Sequence, residues 1–231
     1  MRRVVVASVG HTFERVFHAV ARVGIGVDDT VLLFNSLSDD PRAREAMNTL
    51  RIEIEKVFNA FVALYWLDPR KGFEENVREI RVRVERYAPC RAYLLAVGGF
   101  RWLALALSYT ALALNTLTPI NRVEVEALEL ELEEDTATRD IVRKMFPTQE
   151  SRVIRIPITV KLADIDAKDI EILKTIEKGY RRAKQLEKIL NIPRATLNRR
   201  LRHLVERKLL TFEPRGKSYL YKLTPLAKML I

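Results

Sequence analysis

Through the N-terminal half of the chain, short β-branched and apolar runs alternate with stretches whose apolar positions return every three or four residues. Arg3–Ser8, Thr30–Asn35, Leu64–Leu67 and Ala92–Val97 carry the first pattern and predict strands. Phe13–Val23 (Phe13, Val16, Phe17, Val20), Phe73–Arg86 (Val77, Ile80, Val84) and Trp102–Asn115 carry the second and predict helices. Arg42–Ala63 joins them as a long helix with Met47, Leu50, Ile54, Val57 and Phe61 on one face. Strands that are apolar at every position, not every second one, are covered on both faces. Their alternation with helices predicts a doubly wound parallel sheet of the α/β class.

The pattern changes at Arg122–Glu133. Val123, Val125 and Ala127 alternate with Glu124 and Glu126, after which the apolar phase moves to Leu128, Leu130 and Leu132. A slip of one residue in an alternating strand predicts a bulge. Arg152–Ile158 alternates as well, and the two segments are expected to pair as an antiparallel addition at one sheet edge. A short helix around Arg139–Phe146 lies between them, and the glutamates form the strand's solvated face. Pro157 and the polar stretch Lys161–Asp166 mark a boundary, giving a domain over residues 1–160, a linker over 161–165 and a second domain over 166–231.

That second domain predicts a different architecture. Asp166 is a candidate N-cap for a helix over Ala167–Glu177, and Gly179 ends it. Ala183–Leu190 is a second helix, Asn191-Ile192-Pro193 a tight turn, and Arg194–Arg207 a third helix. Leu209–Glu213 and Ser218–Leu223 flank Pro214-Arg215-Gly216-Lys217 as a hairpin, and Thr224-Pro225 opens a short terminal helix. Helix, helix-turn-helix and hairpin in this order are the α+β winged helix-turn-helix arrangement.

Charge sharpens the reading. Residues 163–231 hold 17 Lys and Arg against 8 Asp and Glu, a surplus of nine, while the preceding residues hold 23 against 22. The chain's excess of +10 is therefore concentrated at one end and points to a polyanionic partner there. A solvated basic face is the other reading that charge alone leaves open. In the third helix Leu197, Leu201 and Leu204 form one stripe. Ala195, Arg199 and Arg202 project from the opposite face, flanked by Thr196, Asn198 and His203. Arg can bridge guanine O6 and N7, and Asn can pair with adenine, so this face has the chemistry of base readout in duplex DNA. Arg194 at the helix start, and Arg215 and Lys217 at the hairpin tip, suit phosphates.

In a doubly wound sheet, ligands bind beyond the strand C-termini where the strand order reverses. For the order 3-2-1-4-5 the loops there are Val9-Gly10-His11-Thr12, running into Phe13, and Gly98-Gly99-Phe100-Arg101. Each opens a helix, so backbone N–H groups converge on one spot and Arg101 adds a guanidinium fork. Spacing leaves two readings open: a site for a small phosphate-bearing ligand, or glycines that merely ease a strand-to-helix turn. A dinucleotide site is disfavoured, because Gly-x-Gly-x-x-Gly is absent and the second strand ends in Asn35-Ser36 without an acidic ribose anchor.

The segment Ile192–Leu210 resembles the winged-helix repressor families, down to the run Leu204-Val205-Glu206-Arg207-Lys208-Leu209-Leu210 before the hairpin. Gly98-Gly99-Phe100-Arg101, followed by an apolar helix, resembles the second signature of CARF domains, the Rossmann-like domains of CRISPR systems. Their first signature falls in the first βα loop, here Val9–Phe13; Val97 departs from the polar residue often found before the glycines. As a whole the chain is similar to archaeal CRISPR-associated regulators that join a CARF domain to a winged helix. The resemblance implies a cytoplasmic homodimer that binds a cyclic oligoadenylate, commonly cyclic tetra-adenylate, across its interface and controls genes of CRISPR loci. It also implies ligand contacts from Val9, Gly10, His11, Thr12, Phe13, Gly98, Gly99, Phe100 and Arg101.

Some CARF domains cut their ligand, and His11 or Thr12 beside Arg101 would be the candidates here. No general acid–base pair is evident, so binding without catalysis is expected. One cysteine, Cys90, and three scattered histidines predict neither a disulfide nor a metal site, and no other cofactor is expected. The apolar stretch Ala92–Leu114 is interrupted by Gly98-Gly99 and Arg101, so a buried strand and helix, not a membrane span, are expected.

Overall fold

A computed structural model describes residues 1–11, 13–37, 40–131, 153–216 and 218–231. The apolar runs and the alternating segment after α4 become the parallel strands of a sheet: β1 (Arg2–Ser8), β2 (Thr30–Ser36), β3 (Phe61–Leu67), β4 (Cys90–Ala96) and β5 (Val123–Glu131). With β6 (Val153–Ile156) they form a six-stranded sheet in the order β3-β2-β1-β4-β5-β6. Helices α1 (Glu14–Val23) and α2 (Pro41–Phe58) cover one face, where they bury Val5, Ala7, Val31, Leu33 and Leu95. Helices α3 (Phe73–Glu85) and α4 (Arg101–Asn121) cover the other, over Val4, Val6, Leu32, Phe34 and Leu94. Alternate residues of the same strand thus serve opposite cores, which is why these strands are apolar throughout.

Several boundaries differ from the sequence expectation. α2 ends at Phe58, because Asn59 takes the left-handed conformation (φ 52°) and its N–H closes on the Glu55 carbonyl. Val57 and Phe61 are therefore exposed, and β3 starts at Phe61, three residues before the expected Leu64. α4 continues past Asn115 to Asn121, with Pro119 near its end. The hydroxyls of Ser108, Thr110, Thr116 and Thr118 each donate to the carbonyl four residues back, so these polar residues line the helix without ending it. Arg122 is not part of β5 but its left-handed lead-in (φ 58°).

β5 corrects a second expectation. It pairs with β4 in parallel, so among the described residues the sheet has five parallel strands, and β6 alone is antiparallel. The expected bulge is present: Ala92 faces Val125 and Tyr93 faces Ala127, leaving Glu126 as the extra residue. After it the glutamates change faces. Glu124 and Glu126 are exposed or nearly so, but Glu129 is buried, paired to Arg155 of β6 at 2.7 Å and Arg22 of α1 at 3.8 Å. The helix expected at Arg139–Phe146 lies outside the described residues.

The C-terminal part folds as α5 (Ala167–Glu177), α6 (Ala183–Leu190), α7 (Arg194–Glu206), the antiparallel hairpin β7 (Leu210–Arg215) and β8 (Ser218–Leu223), and α8 (Pro225–Leu230). Asp166 caps α5 by accepting from the Asp169 N–H, and Asp169 returns the bond to the Asp166 N–H. Arg200 of α7 bonds both carboxylates at 2.7–3.0 Å, which fixes α7 against the start of α5. Strand β7 runs on through Pro214 and Arg215, so the turn is shorter than expected.

The two cores interlock. Ala113 and Leu117 of α4 belong to the C-terminal core, while Met229 of α8 reaches into the sheet's core. The stretch expected as a linker is strapped to α4: Asn115 donates to the Val160 carbonyl at 3.1 Å and Thr116 accepts from the Leu162 N–H at 2.8 Å. Ala163 is buried. Arg81 of α3 is also buried; it grips Glu85 at 2.7 and 2.8 Å and the main-chain oxygen of Ile231 at 2.7 Å. By length and composition α4 could cross a membrane, but half of its apolar window is buried within the fold.

Arg81→Met should lower stability by about 1–3 kcal/mol, since Glu85 and the Ile231 oxygen lose a charged donor in a desolvated place. Lys228→Ala, which removes the more exposed pair to Glu74, should change it by about 1 kcal/mol or less. Urea midpoints of the two variants check the difference.

Candidate functional site

The strand order reverses between β1 and β4, and the loops that leave their C-terminal ends lie main chain against main chain. A Cβ on Gly10 would stand 2.8 Å from the Gly99 nitrogen. One on Gly99 would stand 2.7 Å from the Val9 carbonyl oxygen, and Gly99 holds φ +84°, a conformation L side chains rarely adopt. One on Gly98 would lie 3.2 Å from the Gly10 nitrogen and 3.3 Å from the Ser8 oxygen. The glycines thus do more than ease a turn. They let two loops some ninety residues apart in sequence share a single ledge.

The side chains around that ledge fall into three groups. Val9 is buried in the core beneath α1 and α2, with its N–H on the Phe34 carbonyl at 2.9 Å. Val9 therefore brings its main chain, not its side chain, to the ledge. Phe13 packs partly against the same core. His11 is exposed, and its Nε2 lies 3.1 Å from Asp40, the N-cap of α2. Phe100 and Arg101 are exposed at the start of α4, whose first turn has no side-chain cap. Arg101 has no carboxylate partner among the described residues. Thr12 lies outside them.

Two residues that sequence reasoning passed over belong to this end of the sheet. Ser8 ends β1, and its buried hydroxyl has no hydrogen-bond partner among the described residues. Asn35, one residue from the end of β2, accepts from the Ser36 N–H at 2.8 Å, but its buried amide nitrogen has no acceptor among them. Leaving such groups unpaired is costly, and both sit where the sheet opens toward the loops. The available signal was a polar residue at the C-terminal end of an otherwise apolar strand.

A second cluster lies on α7. Leu197, Leu201 and Leu204 are fully buried, while Arg194, Ala195, Asn198, Arg199 and Arg202 are exposed. Thr196 and His203 are half-buried. The helix does not present these as one patch. Arg194, Asn198 and Arg202 share a groove with the β7–β8 hairpin. Arg199 and His203 line another, beside Asp164 and the Asp166–Asp169–Arg200 cluster. In that cluster burial works against the Asp166 carboxylate, but the Asp169 N–H and the Arg200 guanidinium outweigh it and hold Asp166 below the usual carboxylate range. Arg215 is exposed at the hairpin end, and Lys217 lies outside the described residues. Among the described residues, no group of three or more His, Cys, Asp or Glu is arranged to hold a metal ion.

The family model described as the Csa3 CRISPR-associated Rossmann-like domain fits residues 3–138, a span that takes in α1–α4 and β1–β5 with both glycine loops. No curated protein matches the chain.

Gly99→Ala should destabilise the fold and separate the loops, because it meets both a positive φ and the Val9 carbonyl. About 1–3 kcal/mol is expected. Gly26→Ala, with nothing within 4 Å of the added carbon, should stay within about 0.5 kcal/mol. Thermal unfolding of both variants tests the contrast.

Proposed function

The chain belongs to the family of the Csa3 CRISPR-associated Rossmann-like (CARF) domain, and from that premise we propose that it is a DNA-binding transcriptional regulator that senses a cyclic oligoadenylate. The observation that carries this reading is the path of α4. It starts at Arg101 on the loop ledge and runs for 21 residues to Asn121, placing Ala113 and Leu117 in the core of the C-terminal module. A ligand that moves the start of α4 therefore acts directly on the packing of α5–α8. Coupling of this kind needs two sites and one element that both of them bias.

The ligand fits by chemistry. Uncapped N–H groups at the start of α4, the Arg101 guanidinium and the glycine main chain offer donors to phosphodiesters and room for close approach. The unpaired Ser8 hydroxyl and Asn35 amide supply polar partners at the same end of the sheet. Cyclic tetra-adenylate, a ring with two-fold symmetry, suits a homodimer in which each subunit brings one ledge. The C-terminal module acts as a winged helix-turn-helix, with α7 in the major groove of duplex DNA and the hairpin as wing. Arg199 and Arg202 read base edges, and Arg194 and Arg215 hold phosphates. The protein works on genes of CRISPR loci and requires no cofactor for this.

One observation favours a second reading. The His11–Asp40 pair at 3.1 Å stands next to the ledge as a His–carboxylate couple suited to proton transfer, which would make the domain a ring nuclease. Incubation with cyclic tetra-adenylate decides: ring-opened product that disappears in His11→Ala favours cleavage, and intact ligand favours sensing alone.

Arg101→Ala should fold normally and lose the ligand. Each charge-assisted contact is worth about 1.5–3 kcal/mol. Two symmetric contacts bring the expected loss to between roughly a hundredfold and ten-thousandfold. Calorimetric titration with cyclic tetra-adenylate measures it, and wild-type affinity in the variant would remove Arg101 from the site.

Arg199→Ala and Arg215→Ala should differ on DNA. The first should cost about 1–3 kcal/mol and relax preference at one base pair. The second should weaken all duplexes alike and lower the salt slope by about one. Equal losses on specific and random duplex in both variants would contradict the assigned roles.

A further inference from the structure

The groove between α7 and the hairpin has more chemistry than a phosphate backbone calls for. It has a volume of about 730 Å³, within the range of about 300–1,000 Å³ that small-ligand pockets occupy. One wall is basic: Arg182 and Lys184 at the start of α6, and Arg194 and Arg202 on α7. Glu206 is the one carboxylate among the described residues that line it. The other wall is aromatic. Phe212 and Tyr221 face each other across the β7–β8 ladder and Tyr219 lies diagonally, so all three rings share one face of the hairpin. Tyr221 packs partly against the module's core. Phe212 and Tyr219 do not: they are 49% and 53% exposed, edge to face with centroids 5.0 Å apart.

Two large rings left half in water beside four cations are not explained by the fold. Phe212 and Tyr219 could be smaller or polar without opening the core. Nor does duplex DNA explain them. A base pair in a duplex offers an aromatic side chain an edge contact, such as a thymine methyl, and its ring faces are stacked away. Phosphates, which the cations suit, gain nothing from an aromatic face. A basic wall facing exposed rings matches an unpaired nucleotide instead, whose base offers a π-face and whose flanking phosphates offer charge.

We propose that the groove between α7 and the β7–β8 hairpin binds an unpaired nucleotide of single-stranded DNA. The base lies against Phe212 and Tyr219, and the flanking phosphates lie among Arg182, Lys184, Arg194 and Arg202. The site is separate from the loop ledge, and the inference stands without the duplex-binding role of α7. It gives the module a mode of contact with DNA that is melted or already single-stranded.

The test is fluorescence anisotropy of the full chain with a labelled oligothymidylate and, at the same salt, a labelled mixed-sequence duplex. The wild type should bind the single strand. Tyr219→Leu, and Phe212→Leu with Tyr219→Leu, remove stacking but keep apolar strand residues. Base–aromatic stacking lost on truncation corresponds to about 5- to 150-fold per base, so single-strand affinity should fall at least fivefold. Duplex affinity should stay within about twofold. Absence of single-strand binding, an unchanged affinity in the leucine variants, or an equal loss on duplex would each overturn the proposal. If the single strand behaves as expected but the wild type ignores duplex, the duplex reading falls and this one stands. Tyr219→Trp gives an independent readout: its emission should be quenched by oligothymidylate, and an unquenched signal at saturation would also overturn the proposal.

Discussion

Everything distinctive about this fold depends on one helix serving two hydrophobic cores. α4 buries Leu103, Ala106, Leu107 and Leu114 in the core on the sheet, and Ala113 and Leu117 in the core of the C-terminal module. A helix that is apolar over most of its circumference needs cover from more than one neighbour. Neither core alone could cover it. The same demand brings α8 back across α3 and α4, where Met229 enters the sheet's core and Arg81 closes on the Ile231 oxygen. The C-terminal module is therefore clamped at both of its ends.

That clamp couples the C-terminal module to the ledge at the far end of α4, as the proposed function requires. A module on a free tether would have no mechanical link to the ledge. Here the start of α4 is held by packing at Leu103 and by the glycine contact, not by its own cap. The polar contacts between the parts include Asn115 to Val160, Thr116 to Leu162 and the more exposed Arg78–Glu177 pair. Directional bonds like these have discrete partners to exchange when a helix shifts, whereas a well-packed core resists gradual deformation.

Much of this was legible in the sequence, because local pattern and global fold agree. The centres of β1, β2 and β4, the bulge in β5, the Asp166 cap and the Thr224 cap all follow from residues within a few positions of one another. The end of α2 did not, since Val57 and Phe61 keep helical spacing across Asn59 and hide the left-handed cap. The change of face at Glu129 was hidden in another way. The bulge reverses the alternation, and the arginines that accept a buried glutamate come from α1 and β6. At the ledge, the order of β1 and β4 could be anticipated, so the two loops could be paired. That Gly10 and Gly99 touch, that Val9 turns inward and that Ser8 and Asn35 lack partners depends on distances no local pattern encodes. On α7 the periodicity separated buried from exposed residues, but not the division of the exposed ones between two grooves.

The double duty of α4 also limits how relatives of this chain can diverge. Adding or deleting one residue within a helix turns everything beyond it by about 100° and moves it by about 1.5 Å. In most helices one neighbour can adjust, and such a change is absorbed in a loop. In α4 it would leave Leu103 and Leu107 seated while swinging Ala113 and Leu117 out of the second core, or the reverse. The spacing between Arg101 and Leu117 should therefore be fixed by inheritance even where the residues between them change. Length variation should collect instead in loops at the surface, with the distance from ledge to module kept as a gauge.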